Sequence, residues 1–293
     1  MPFTKTNLFN IYFVGSTTLI ALIGTPLYIY HYGISASEVV LMLFYIIATG
    51  LAVTVGYHRL FAHVTYKTHD PIRFVLLFFG AASFEQSAIA WSSQHRDHHR
   101  YVDTESDPYN IKKGFFWAHM GWLFFGKYRL VYANVADLSS SRLIMHQARY
   151  YPLWSLTAGL IVPVLLGAAT GHALGAFILS VCLRTVIVHH GTWCINSICH
   201  TFGKATYDSR SSARDHWLTA FVSFGEGYHN FHHRFPNDYR NGIKWHHWDP
   251  SKWIIFGLGK LGLAWNIKRA SESSILKART QTGDPLEPAA TTI

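Results

Sequence analysis

"EVVLMLFYIIATGLAVTVGYHRLFAH" runs from Glu38 to His63. Its first part, as far as Tyr57, is long and apolar enough to carry an α-helix across ~30 Å of hydrocarbon. Immediately afterwards come His58 and His63. A membrane span whose last turn passes straight into two imidazoles decides the fold class: an all-α membrane protein with its chemistry just beyond one end of the helices.

Three more stretches have the same character: "LFNIYFVGSTTLIALIGTPLYIY" (Leu8–Tyr30), "LWSLTAGLIVPVLLGAATG" (Leu153–Gly171) and "ALGAFILSVCLRTVIVHHGTW" (Ala173–Trp193). Four transmembrane helices therefore form two hairpins, closed by the turns His31–Ser37 and Gly171-His172. Composition agrees: 49% of the 293 residues are hydrophobic and 14% charged, against roughly 25% charged in a soluble domain. A fifth apolar stretch, Pro71–Trp91, carries Glu85 and Gln86 in its middle, and reads as a buried or interfacial helix. The first apolar run is too long for the core of a signal peptide and is taken as a span. Cys182, Cys194 and Cys199 have neither the number nor the spacing of a disulfide framework or zinc knuckle, and read as small buried residues.

None of the 25 Lys and Arg lies in either hairpin turn. Apart from Arg184, they fall at the N-terminus, in 58–152 or after 194, which places both termini and both large segments in the cytoplasm. The expected organisation is a single membrane domain, 1–270, with spans near 8–30, 38–57, 153–171 and 173–193. A cytoplasmic helical cap is built from 58–152 and 194–270, and 271–293 is expected to be a disordered tail. The net charge of +9 is then a one-sided basic surface beside anionic headgroups, suited also to phosphate-bearing ligands or an acidic protein. No nucleic acid is expected among its partners.

Histidine outnumbers the acids, 19 to 16. Four clusters fall on the cytoplasmic face: His58 and His63 in "HRLFAH"; His95, His98 and His99 in "HRDHH"; Asn196 and His200 in "NSICH"; and His229, His232 and His233 in "HNFHH". Positions i and i+4 share one helix face, as His95 and His99, Asn196 and His200, and His229 and His233 do. His58 and His63 are five apart, so sharing a metal requires a distorted helix end or long side-chain reach. One H-x-x-H-H is a weak signal, but two copies on the same side of a membrane as an H-x4-H point to metal. Nine imidazoles exceed the four to six ligands of one ion, so a histidine-ligated dimetal site is expected. The lack of thiolate disfavours structural zinc and iron–sulfur centres, and the near absence of carboxylate disfavours calcium and magnesium. Imidazole itself suits iron, copper, nickel and zinc. His31 and His172 sit at the opposite face. His69, His119, His146, His216, His246 and His247 are read as surface or hydrogen-bonding residues. His190 is read as support behind the metal ligands, and His189 is left unassigned.

In these residues the chain resembles the membrane fatty-acyl desaturases of the stearoyl-CoA desaturase-like, Δ9 type. The motifs are "GYHRLFAH", "HRDHHRYVDTESDPYN", "GFFWAHMGWLF", "TWCINSICHTFG" and "SFGEGYHNFHHRFPNDYR". The resemblance implies two Fe2+ ions, one held by His58, His63, His95, His99 and His232. The other is held by His98, His200, His229 and His233, with Asn196 nearby through a water. It implies an acyl chain in a bent tunnel, with Trp91 and Thr192 at the bend and Trp193 near the polar end. Glu85 stands beside the bend where that subfamily has Gln, and Gln86 adjoins it. Ile46, Gly50 and Val53 lie where the far end of the chain would reach.

Ser93-Gln94 and Gly126-Lys127 replace an Arg-Asp and an Arg-Lys pair of the acyl-CoA-specific animal members, which leaves CoA or a lipid as the carrier of a long-chain saturated acyl group. O2 is the co-substrate. Without a haem, flavin or ferredoxin motif, electrons are expected from a separate donor, a ferredoxin, cytochrome b5 or similar, with its reductase. A bacterial inner membrane or the endoplasmic reticulum is the expected location. Two alternatives remain: a membrane alkane or lipid hydroxylase using the same metals, and a non-catalytic membrane metal-binding protein.

Overall fold

The computed structural model describes residues 5–127 and 130–283. Among the described residues, four helices are long and apolar enough to cross a membrane: Asn7–Tyr32, Ala36–Ala62, Tyr151–Ala169 and Ala173–His200. The second and fourth continue past the expected ends at Tyr57 and Trp193, and these extensions carry His58 and His200 into the cap.

The two hairpins are locked together at their turns by one carboxylate. Ser35 caps the second span with its hydroxyl on Glu38 N, while Glu38 reaches back to Ser35 N (2.8 Å), a capping box. The other Glu38 oxygen accepts a hydrogen bond from Tyr28 of the first span (2.7 Å). The fourth span passes so close that a Cβ on Gly175 would overlap Glu38. Glu38, an acid at the end of an apolar run, is 3% exposed and fully engaged in joining three spans.

The Pro71–Trp91 stretch departs from the expected single helix. It forms helix Asp70–Ala82, a break, and helix Ala88–Tyr101. Phe84 and Gln86 in the break have φ of 61° and 77°, which a continuous helix cannot accommodate. The break is held by Arg184, buried inside the fourth span. Its guanidinium donates to Ala82 O at the end of the first helix, to Gly159 O of the third span (3.0 Å) and to Ser180 O (3.0 Å). A helix end buried in a membrane has carbonyls with no water to bind, and Arg184 supplies the donors.

The main core wraps the end of the second span, where Tyr57, Leu60 and Phe61 pack with Leu77, Ile89, Ile144, Tyr239 and Ile255. A two-stranded antiparallel pair, Lys67–Thr68 with Ala264–Trp265, ties the cap's last segment to its first. The tail expectation needs correcting. Ser271 caps a helix, Glu272–Thr282, whose Ala278 and Ile275 pack on Tyr207 and Phe231; residues 284–293 lie outside the described residues.

Gly80 faces the buried Tyr57 ring so closely that an added Cβ would stand 2.3 Å from Cε1. Tyr57 cannot yield easily, since Gln147 donates to its hydroxyl (2.6 Å). Gly80→Ala is therefore expected to destabilise the protein by about 1–3 kcal/mol, the usual cost of overpacking. Thermal unfolding in detergent measures this, and an unchanged midpoint would contradict the packing described.

Candidate metal centre

His58 and His63 are brought together by a change of helix type. Residues Ala52–Ala62 are π-helical, and His63 N donates to His58 O (3.0 Å). This i→i+5 bond stacks residues five apart on one face, which a regular α-helix would not do. The helix Ala88–Tyr101, capped by Ser87, presents His95 and His99 on one side and His98 on another. The helix His229–Arg234 supplies three more imidazoles. Its free amides at Asn230 and Phe231 donate to Asp215 (2.8 and 3.1 Å), whose carboxyl is pushed up to about 7 by burial despite those bonds.

Two groups result. One nitrogen each from His58, His63, His95, His99 and His232 lies within 4.8 Å of the others, and likewise for His98, His200, His229 and His233. The groups are adjacent, with the His99 and His233 rings stacked at 4.3 Å. Asn196 lines the same cavity as His229.

The protonation pattern tests whether these residues fit metal ions. His98 Nδ1 donates to Asp107 (2.8 Å), a carboxylate that can only accept. His200 Nδ1 donates to Ser212 Oγ (2.7 Å), whose own proton goes to Asp103. Both rings therefore turn an Nε2 lone pair inward. Elsewhere Nε2 meets Nε2: His232 stands 3.0 Å from His58 and 2.9 Å from His99, and His229 stands 3.0 Å from both His200 and His233. One ring proton cannot serve two such neighbours. Adding protons is disfavoured too, because burial and then the neighbouring imidazoles hold His63, His95, His99, His229, His232 and His233 well below the ordinary histidine range. Neutral imidazoles with converging lone pairs fit a cation in each group.

A layer of carboxylates surrounds this centre. Glu226 lies 2.8 Å from His58 Nδ1 and pairs with the buried Arg59 (3.0 Å), which also pairs with Asp249 (2.9 Å). Burial raises the Glu226 pKa, but His58 and Arg59 outweigh it and hold the carboxyl below the usual range. Sequence reasoning missed Asp103, Asp107, Asp215 and Glu226 as supports; they lie within or near the quoted motifs, but a search for first ligands passes over them. His119 has the hydrogen-bonding role expected of it: its Nε2 pairs with His190 Nδ1 (2.9 Å) and its Nδ1 with Ser197 (2.9 Å). His190 thus bonds to His119 rather than to one of the nine imidazoles. His189 Nε2 lies 2.8 Å from Ser83 O in the helix break.

Beneath the imidazoles runs a cavity lined by Trp91, Thr192, Trp193, Glu85, Gln86, Ile46, Gly50 and Val53. Glu85 accepts from Thr192 Oγ1 (2.9 Å) and Trp91 Nε1 (3.3 Å). Gln94 donates to Gln86 (3.4 Å) and accepts from Tyr109 (3.3 Å). Phe224 crowds Gly50, where a Cβ would come within 2.2 Å. Lys127 is exposed and does not line the cavity.

Four apolar helices of spanning length, with nine buried or half-buried imidazoles gathered into two groups beyond them, define a membrane protein with a paired centre that could hold metal. A family model described as "Fatty acid desaturase" matches residues 36–265. Relatives include a probable acyl-CoA desaturase of Schizosaccharomyces pombe (40% identical, covering 85% of this chain and 52% of that one). Acyl-CoA desaturase 1 of Saccharomyces cerevisiae is 42% identical, covering 81% and 47% respectively. Stearoyl-CoA desaturase 5 of Bos taurus is 36% identical, covering 82% and 74%. The chain spans about half the length of the two yeast relatives. It belongs to the fatty acid desaturase family.

Asp107→Ala removes the acceptor that orients His98 and should weaken metal binding 10- to 100-fold, the usual cost of losing such a partner; metal content after dialysis against a chelator series measures it. Glu85 offers a second test, because burial pushes its carboxyl from 4.5 to about 7 against its two hydrogen bonds. Between those values the folded protein binds this proton more tightly than the unfolded chain, so Glu85's contribution to stability falls as pH rises. Glu85→Gln should flatten the loss of stability from pH 4.5 to 7; parallel unfolding profiles for variant and wild type would refute it.

Proposed function

We propose that the protein is an O2-dependent fatty-acyl desaturase that introduces a cis double bond, at the Δ9 position, into a long-chain saturated acyl group. The acyl group is carried on CoA or a lipid. The convergence of nine imidazoles above an apolar cavity carries this reading, and the acyl-CoA substrates named in its relatives support it. His58, His63, His95, His99 and His232 would hold one iron, and His98, His200, His229 and His233 the other, with Asn196 beside the second. Bound there, the iron pair would supply the oxidising power to take hydrogen from an unactivated methylene, which no side chain has.

The protein's own residues do the placing. Apolar walls hold the chain, each buried methylene contributing about 0.8 kcal/mol. Trp91, Thr192 and Glu85 form the bend, Trp193 flanks the polar end, and Ile46 and Gly50 bound the far end. Two hydrogens leave adjacent carbons while O2, two electrons and two protons yield two waters. The electrons come from a separate donor such as a ferredoxin or cytochrome b5 with its reductase, docking on the basic face. That face, the metal centre and both termini are cytoplasmic, because the lysines and arginines avoid both hairpin turns.

Expression in a cell lacking its own desaturase, with mass-spectrometric mapping of double bonds, tests the proposal. An alkene from the wild type and none from His232→Ala is expected. An alcohol without alkene would favour the hydroxylase, and neither product would leave a metal-binding protein.

A further inference from the structure

The helix Glu272–Thr282 lies after the stretch 36–265 that matches the family model, yet it packs behind the imidazoles. Its buried Ala278, together with Ile275, meets Phe231, Tyr207, Phe235 and Ile243. Phe231 belongs to the ligand-bearing helix His229–Arg234 and is 1% exposed. It stands two residues from both His229 and His233, which puts it on the face of that helix turned away from them.

A loop without helix or strand, 206–213, is held between these two helices. Asn230 of the ligand helix grips it from inside. Its side chain accepts from Tyr207 N (2.6 Å) and Asp208 N (3.1 Å) and donates to Asp208 O (2.7 Å) and Ala213 O (2.9 Å). From outside, the terminal helix packs on Tyr207, and Thr282 Oγ1 donates to Thr206 O (2.7 Å). The loop carries Ser212, which takes the hydrogen bond from His200 Nδ1. Without such restraint an irregular loop keeps its conformational freedom. The terminal helix therefore stands behind His200, His229 and His233, three of the four imidazoles of the second group. In the first group it stands behind His232 alone. The other four, His58, His63, His95 and His99, come from the end of the second span and the helix Ala88–Tyr101, which pack together in the main core.

We propose that the helix Glu272–Thr282 is a clamp that holds the second imidazole group in its metal-binding arrangement. Ile275, Ala278 and Thr282 are its positioning residues, acting through Phe231 and the 206–213 loop. This rests on the reading of the two groups as a paired metal centre and is independent of the reaction performed there. The coupling is reciprocal: docking of the helix strengthens binding in the second group, and an ion bound there strengthens docking of the helix.

Fe2+ content is measured anaerobically on detergent-purified protein dialysed against a chelator series, where each group gives its own step of release. His200→Ala removes a ligand of the second group and marks its step. Two shortened chains are compared, one ending at Gly283 and one at Ala270; both lack 284–293, so any difference belongs to the helix. Relative to the longer chain, the shorter should release the second-group ion at about 10-fold lower chelator, as loss of support behind a ligand allows, with the first-group step in place. Ile275→Ser in the full chain should shift the same step, and Ile275→Leu should leave it where it is. Two unshifted steps, or two steps that move together as general destabilisation would move them, overturn the proposal. A measurement on the wild type stands even if the shortened chain does not fold. Hydrogen exchange at the amides of Glu272–Thr282 should slow when the second group is filled, compared with chelator levels that empty it and leave the first loaded; unchanged exchange overturns the clamp. The failures are distinguishable. A full chain that holds no second ion rejects the paired centre and the clamp with it. A selective shift in a protein that makes no alkene sustains the clamp and rejects the desaturase.

Discussion

Buried lone pairs facing one another set the terms for this protein. An imidazole can be buried neutral at modest cost if each nitrogen finds a partner. Here nine rings bring nitrogens together within 4.8 Å in two groups, where protons are too few to pair them and added charge is opposed by burial. Such an arrangement could hold a cation in each group. The surrounding anions follow from that. Asp107, Glu226 and the Asp103–Ser212 pair stand behind the imidazoles, fixing tautomers and offsetting positive charge without taking a ligand's place. The carboxylates scarce in the ligand set were moved one layer out.

Bringing distant segments to that point requires backbone that is not regular. The π-helical end of the second span aligns His58 with His63. The break at 83–87 lets one apolar stretch serve first as a packing helix and then as a carrier of ligands. Phe84, Gln86, Asp103 and Phe224 all have positive φ, and each lies beside the cavity or the imidazole supports. Strained conformations persist only where their surroundings over-determine them. Arg184 on Ala82 O and Tyr151 Oη on Gln86 N (3.0 Å) supply that restraint at the break.

Much of this was legible in the sequence because its signals are strong and periodic. Apolar runs of spanning length gave the four helices, and i, i+4 spacing gave most imidazole pairs. The awkward five-residue gap left either a distorted helix end or long side-chain reach, and the π-helical end is the one the chain uses. What escaped lay in single side chains whose partners are far away in sequence. Asp107 and Asp215 look like ordinary loop acids until folding sets them behind a histidine and a helix end. His119 and His190 are 71 residues apart and carry no shared spacing. The helix Glu272–Thr282 was hidden because it buries only a narrow stripe, Ala278 and Ile275, within a hydroxyl-rich stretch that composition alone reads as unstructured.

Position along an alkyl chain cannot be recognised by hydrogen bonds, since successive methylenes are chemically alike. A protein that acts at one of them must measure length, and the measuring parts must not move relative to the metals. For the acyl substrate proposed above, Trp91 would meet this requirement in one side chain. Its ring stacks on His95 at 4.8 Å, with the planes 22° apart, while its Nε1 is tied to Glu85, and Glu85 to Thr192 of the fourth span. A shift of the bend would therefore drag an imidazole out of its group, and a shift of that imidazole would loosen the bend. In such a close-packed interior the two move together or not at all, so the cavity's shape and the centre's geometry form a single rigid element.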